Sequence, residues 1–180
     1  MLTTRTLATL ALATLLSLSM GQFSNAQDDD AALLKAHEQL KAVLDQVDEL
    51  FYKEMTTDSG VTFYNLIWEM DGETSKITFE LRQLGHYSGK PVFGLLAYTT
   101  VAQTEGSMPP AVIKAVATKN ETTGLGFFSM TSGFDTLYMN FTTPSDALTP
   151  AQVWMTCAYM HNNRIKMRKE VETLMSASGR

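Results

Sequence analysis

Asp71-Gly72 lies between two runs of apolar and polar residues, and that arrangement leaves little room for anything but a hairpin. A two-residue turn needs positive φ angles, which glycine takes freely and aspartate tolerates. Beyond the turn, Ile77, Phe79 and Leu81 fall on one side of an extended chain, Lys76, Thr78, Glu80 and Arg82 on the other. Such alternation predicts a half-buried antiparallel strand, with one face on a core and the other toward water. Strands are expected near 61–70 and 76–84. After a turn at Ser88-Gly89-Lys90-Pro91 comes a third, 92–101, apolar on both faces and therefore placed inside the sheet.

Upstream, Leu33, Ala36, Leu40, Val43, Val47 and Leu50 recur in steps of three and four, with Leu44 and Phe51 widening the stripe. That spacing predicts one helix with a buried face, opened by Asp28 to Asp30 and stopped by Thr56 to Gly60. Downstream, Pro109-Pro110 begin a short helix carrying Val112, Ile113, Ala115 and Val116 and ending near Asn120. Strands near 124–130 and 135–142 follow, with Thr131 to Phe134 as their turn. Thr149-Pro150-Ala151-Gln152 has the spacing of a capping box at a helix start. Val153, Cys157, Met160, Met167, Val171 and Leu174 then form a stripe interrupted by Arg164, and Ser176 to Arg180 read as a frayed tail. The expected class is α+β in the order α-β-β-β-α-β-β-α. Its antiparallel sheet would have five strands, with the long N- and C-terminal helices packed on one face.

Residues 1–26 have the form of an export leader. Arg5 gives the positive start, Leu7 to Met20 a short apolar run, and Ser24-Asn25-Ala26 a cleavage site. The run is shorter than the roughly 20 residues of a spanning helix, so no membrane insertion is expected after cleavage. Residues 27–180 are read as a single domain, of a size that supports an apolar core without staples. The lone Cys157 has no partner for an internal disulfide. Loss of Arg5 with the leader takes the net charge from −5 to −6. An acidic chain is a poor ligand for nucleic acid.

The sequence carries few residues in patterns that point to chemistry. The histidines are His37, His86 and His161, and no second histidine follows His37-Glu38 at helical zinc spacing. Cys157 and His161 share a helical face, but two ligands do not make a metal site. A thiol on a core-facing stripe is also out of reach as a nucleophile. Asp28 to Asp30 lack the glycine and distal glutamate of a calcium loop. Gly124-Leu125-Gly126 has Ser129 where a dinucleotide fingerprint needs its third glycine. No G-x-S-x-G occurs. Glu69 and Glu80 lie on neighbouring strands and read as surface carboxylates. Arg164, Lys166, Arg168 and Lys169 are read as cations favoured by the end of the last helix. No catalytic, metal or cofactor site is assigned.

One feature exceeds what folding requires. The first strand has Tyr64, Leu66, Trp68 and Met70 on one face, with Phe63 and Ile67 on the other. If helices cover only one side, the second keeps an apolar patch of the kind that marks an interface. Tyr64, Leu66, Trp68 and Met70 are therefore the candidate partner-binding residues.

The element order resembles the YbjN-like family, which shares the fold of type III secretion chaperones. The likeness is carried by Pro109 through Lys119-Asn120 into Gly126-Phe127-Phe128, by the paired strand ending at Phe141, and by Leu148-Thr149-Pro150. It implies a non-catalytic, protein-binding module, often dimeric. The resulting expectation is an exported protein, periplasmic or extracellular in a bacterium, that binds a protein partner or itself as a homodimer without a cofactor. A binder of small ligands or lipids between sheet and helices is the second reading. A hydrolase whose carboxylates converge only in three dimensions is the third.

Overall fold

The computed structural model describes residues 28–48, 50–146 and 148–179; the leader lies outside them. Helix α1 covers 28–44. There follow β1 (Phe51–Thr56), β2 (Thr62–Met70), β3 (Glu73–Tyr87), β4 (Lys90–Gln103), α2 (Pro110–Thr122), β5 (Phe127–Met130), β6 (Thr136–Pro144) and α3 (Pro150–Ala177). The strands form one antiparallel sheet in the order β1-β2-β3-β4-β6-β5. The α+β class is as expected. The sheet has six strands where five were expected, and the element order gains a strand before β2.

That strand, β1, takes the end of the stripe assigned to the first helix. Val47, Leu50 and Phe51 continue the helical spacing, yet α1 stops at 44. Its last turn tightens through i−3 bonds from Gln46 N–H to Val43 and from Val47 N–H to Leu44, both 3.1 Å. From Phe51 the chain alternates with period two and is rich in residues that suit a pleated surface. Tyr52 and Glu54 point to the helix side, where the Tyr52 hydroxyl bonds to Asp45 and the Glu54 carboxylate meets Lys41 Nζ at 2.8 Å. Thr57 to Gly60 then connect β1 to β2 instead of ending a helix.

Two tight turns set the register of the central strands. Asp71 and Gly72 have φ of 53° and 76°, and Ser88 and Gly89 have 51° and 75°. The core lies between one sheet face and the helices. Tyr64, Leu66, Ile77, Phe79, Leu95, Ala97, Leu137 and Met139 meet Leu40 and Leu44 of α1, Val112 of α2, and Val153, Met160 and Met167 of α3.

The capping box of α3 forms as read: Gln152 Oε1 accepts from Thr149 N–H at 2.8 Å, and Thr149 Oγ1 accepts from Gln152 N–H at 3.3 Å. The helix runs on to Ala177, however, which corrects the reading of the basic cluster. Arg164 to Lys169 lie about two turns or more before its end, beyond the reach of the end dipole. Arg168 instead pairs with Glu73 at 3.0 Å, and Arg164 reaches the sheet.

The two edges of the sheet differ. At β5, the Asn120 side chain of α2 donates to Phe128 C=O at 2.9 Å and accepts from Phe128 N–H at 2.7 Å, as a neighbouring strand would. The outer edge of β1 has no described strand beside it.

Candidate functional site

The four residues singled out on β2 belong to the core. Tyr64 and Leu66 are 0% exposed, Trp68 is 7% and Met70 is half-buried, because this is the face the helices cover. Tyr64 receives α1 directly, its hydroxyl 3.0 Å from His37 Nδ1. Any surface that β2 offers a partner is on its other side.

That other side carries Phe63, Asn65, Ile67 and Glu69. Register places Phe51 beside Ile67 and Met55 beside Phe63 on β1, and Lys76, Thr78 and Glu80 beyond them on β3. Phe51 is 75% exposed and Ile67 43%; Met55 and Phe63 are half-buried. Further across, Phe127 of β5 shows 47% of its surface, next to Asn140, whose Nδ2 donates to Ser129 Oγ at 2.8 Å. The apolar part is thus concentrated on β1–β2, with charged Lys53, Lys76, Arg82, Glu69 and Glu80 around it. Arg82 Nε and Glu80 Oε1 are 2.8 Å apart.

At the end of β1 the patch turns a corner into a cleft of about 520 Å³, lined by Asp48, Phe51, Ile67, Trp68, Glu69, Met70 and Trp154. Trp68 and Trp154 meet edge to face, with ring centroids 5.7 Å apart. Trp68 Nε1 is buried and makes no hydrogen bond to a described residue. A smaller cavity of about 220 Å³ lies between α3 and β6, among Leu125, Phe141, Leu148, Met155 and Tyr159. It is apolar but smaller than the roughly 300 Å³ at which pockets for drug-sized ligands begin.

A third opening lies where β3 and β4 part. Their pairing runs only as far as Thr78 opposite Tyr98, and β4 shifts register against β6 between Thr100 and Ala102. Arg164 enters the gap from α3 and donates from Nε to Thr100 C=O at 2.9 Å and from Nη1 to Thr74 C=O at 3.4 Å. It supplies the partner that β3 no longer gives.

Cys157 and His161 do not act as a pair. The thiol is fully buried, and burial pushes its pKa up to about 12, which keeps it protonated and unreactive. His161 is 1% exposed and binds Ser75 Oγ through Nδ1 at 2.9 Å. A serine beside a histidine evokes nucleophilic chemistry, but Ser75 is 0% exposed and no substrate can reach it. His86 lies 3.0 Å from Asp29, so that carboxylate at the start of α1 ties the helix to the far end of β3. No group of three or more His, Cys, Asp or Glu among the described residues is placed to hold a metal ion. No helix among them is long and apolar enough to cross a membrane.

No protein-family model matches the chain, and no curated protein matches it.

Proposed function

We propose that the protein is an exported, non-catalytic binding module that associates with a second copy of itself through the β1–β2 part of the helix-free sheet face. One observation carries this reading: Phe51, Ile67, Met55 and Phe63 are brought together by register on a face that no described helix covers. Each large apolar side chain removed from water contributes roughly 1.5–3 kcal/mol, so covering this cluster is a substantial driving force. The charges around it favour a second copy over a partner of one sign. Lys53, Lys76 and Arg82 stand among Glu69 and Glu80, so the face is electrically mixed, and a two-fold rotation could set unlike charges against each other. Two such faces would stack as the sheets of a sandwich do, about 10 Å apart. The resemblance of the sequence to the YbjN-like family, as a protein-binding and often dimeric group, points the same way. The leader 1–26 supports delivery to the periplasm or medium, where N-terminal sequencing of the exported protein should begin at Gln27.

The association is tested by light scattering of the purified protein across a concentration series. A dimer is expected. Ile67→Asp should weaken it by about tenfold or more, since a charge would be buried against apolar groups. Leu125→Asp, at an exposed apolar residue away from this face, should leave it unchanged. A protein that stays monomeric at millimolar concentration, or a dimer indifferent to Ile67→Asp, would overturn the proposal.

A further inference from the structure

We infer that the gap between β3 and β4 beside Arg164 is a binding site for a small oxyanion, a carboxylate or phosphate borne by a small molecule. The cavity there measures about 270 Å³ and is lined by Lys76, Thr78, Tyr98, Thr99, Thr100 and Arg164. It is polar and cationic, and no carboxylate lines it.

Arg164 is the cation at the floor of this cavity. Nε and Nη1 are used on the carbonyls of Thr100 and Thr74, with Ser75 Oγ also 3.4 Å from Nη1. Nη2 makes no hydrogen bond to a described residue. Arg82 and Arg168 each hold a carboxylate, at 2.8 and 3.0 Å, whereas Arg164 pairs with none among the described residues. Burial, then the neighbouring positive Arg168, hold its pKa below the usual guanidinium range, against the weaker opposing effect of Glu73, whose carboxylate is bonded to Arg168. The backbone bonds also fix the guanidinium plane. A pre-set planar fork is what bidentate recognition of a carboxylate or phosphate requires.

The other lining residues fit the same ligand. Lys76 makes no ion pair with a described residue and lies on the same face, so it adds a second positive charge at the rim. Burial, and then Glu80, raise the Tyr98 pKa against the opposing Thr78 hydrogen bond and the charge of Arg82; the phenol is protonated at neutral pH and carries one O–H to donate. Thr99 is occupied, its hydroxyl donating to Lys76 C=O at 2.7 Å, which holds the two strands at their separation. The hydroxyl of Thr100, on the exposed face, is available. The volume suits an ion or a short acid, not a cofactor.

Isothermal titration at low salt would use inorganic phosphate and succinate as separate probes. Saturable one-to-one binding of either is expected, and the tighter of the two names the group. Lys76→Glu should weaken it by about tenfold or more, and Tyr98→Phe by a few-fold. Lys90→Glu makes the same change of charge at the exposed start of β4 and should leave affinity within about twofold. Arg164→Lys keeps the charge but loses the fork and should also weaken binding. Because Arg164 braces the sheet, Lys76→Glu and Tyr98→Phe, with melting curves matched to the parent, decide the matter if that variant unfolds. No binding of either probe at millimolar concentration, or equal losses from Lys76→Glu and Lys90→Glu, would overturn the inference. Lys76 and Tyr98 lie on the sheet face proposed for self-association, so the titrations are run at a concentration where light scattering shows monomer, which separates failure of this site from failure of the dimer.

Discussion

On α3 the Cys157 side chain is removed from water, and that desolvation alone raises its pKa to about 12. A thiolate is the reactive form, so the side chain is doubly protected, by inaccessibility and by protonation. Maleimide labelling followed by mass spectrometry should leave native protein unmodified at neutral pH and add one label in denaturant. Rapid labelling of the native protein would mean that the α3–sheet contact opens far more readily than its packing suggests. The same helix carries Arg164, four residues before Arg168, and the two meet different ends. Arg168 finds Glu73, whereas Arg164 finds backbone carbonyls and an open cavity. Residue type and helical spacing did not separate them, since the difference lies in which strands sit beneath.

At the scale of elements, two glycines with similar backbones should tolerate alanine very differently. Gly72, φ 76°, has nothing within 4 Å of where a Cβ would stand. Alanine there should cost about 1 kcal/mol, the strain of the left-handed conformation alone. Gly126 has φ 73°, but its Cβ would lie 2.4 Å from the Asn140 carbonyl oxygen, where β5 approaches β6. Gly126→Ala should therefore lose roughly 2–4 kcal/mol, strain plus displacement of a paired strand. Urea denaturation of both variants checks the order; equal losses would show that β5 shifts at little cost. The Asp71-Gly72 turn was legible in the sequence because its chemistry is local, as was the Thr149–Gln152 cap. β1 was not, because Val47, Leu50 and Phe51 continue the three–four spacing by coincidence past the real end of α1. What decides there is tertiary: Asp45 and Lys41 reaching Tyr52 and Glu54. The candidate interface was half legible for a related reason. Alternation separated Tyr64, Leu66 and Trp68 from Phe63 and Ile67, but only the placed helices say which set is covered. The β3–β4 gap left no trace in the sequence, since a splay between strands is a property of the pair.

For the whole molecule, one buried and one half-buried imidazole should make folding sensitive to mild acid. His161 joins α3 to the β2–β3 hairpin, with Ser75 on one ring nitrogen and the Met70 carbonyl nearby. Burial, then the positive Arg164, lower its pKa below the ordinary 6.5, outweighing Glu73, Asp71 and the Met70 carbonyl, which act in the opposite sense. His37, between α1 and Tyr64, is lowered by burial against a smaller opposing effect of Glu54. In both cases the folded state prefers the neutral ring. Well above pH 6.5, from about pH 7.5, the two states bind the same number of protons at these sites and stability is undiminished. As pH falls from there through 6.5 the unfolded chain takes up protons that the folded chain resists, so stability declines until the lowered folded values are passed. The depressed carboxyls Asp29 and Asp135 act below the ordinary 3.8, so they do not contribute in the same window. Urea midpoints should thus fall between about pH 7.5 and pH 5.5, with the slope of the transition unchanged. His161→Gln should flatten part of that decline and His37→Gln another part, whatever each does to stability at neutral pH. A midpoint that held constant or rose on acidification would mean that these rings can be protonated in place, and that α3 is less firmly seated on the sheet than Met160 and Met167, both 0% exposed, indicate.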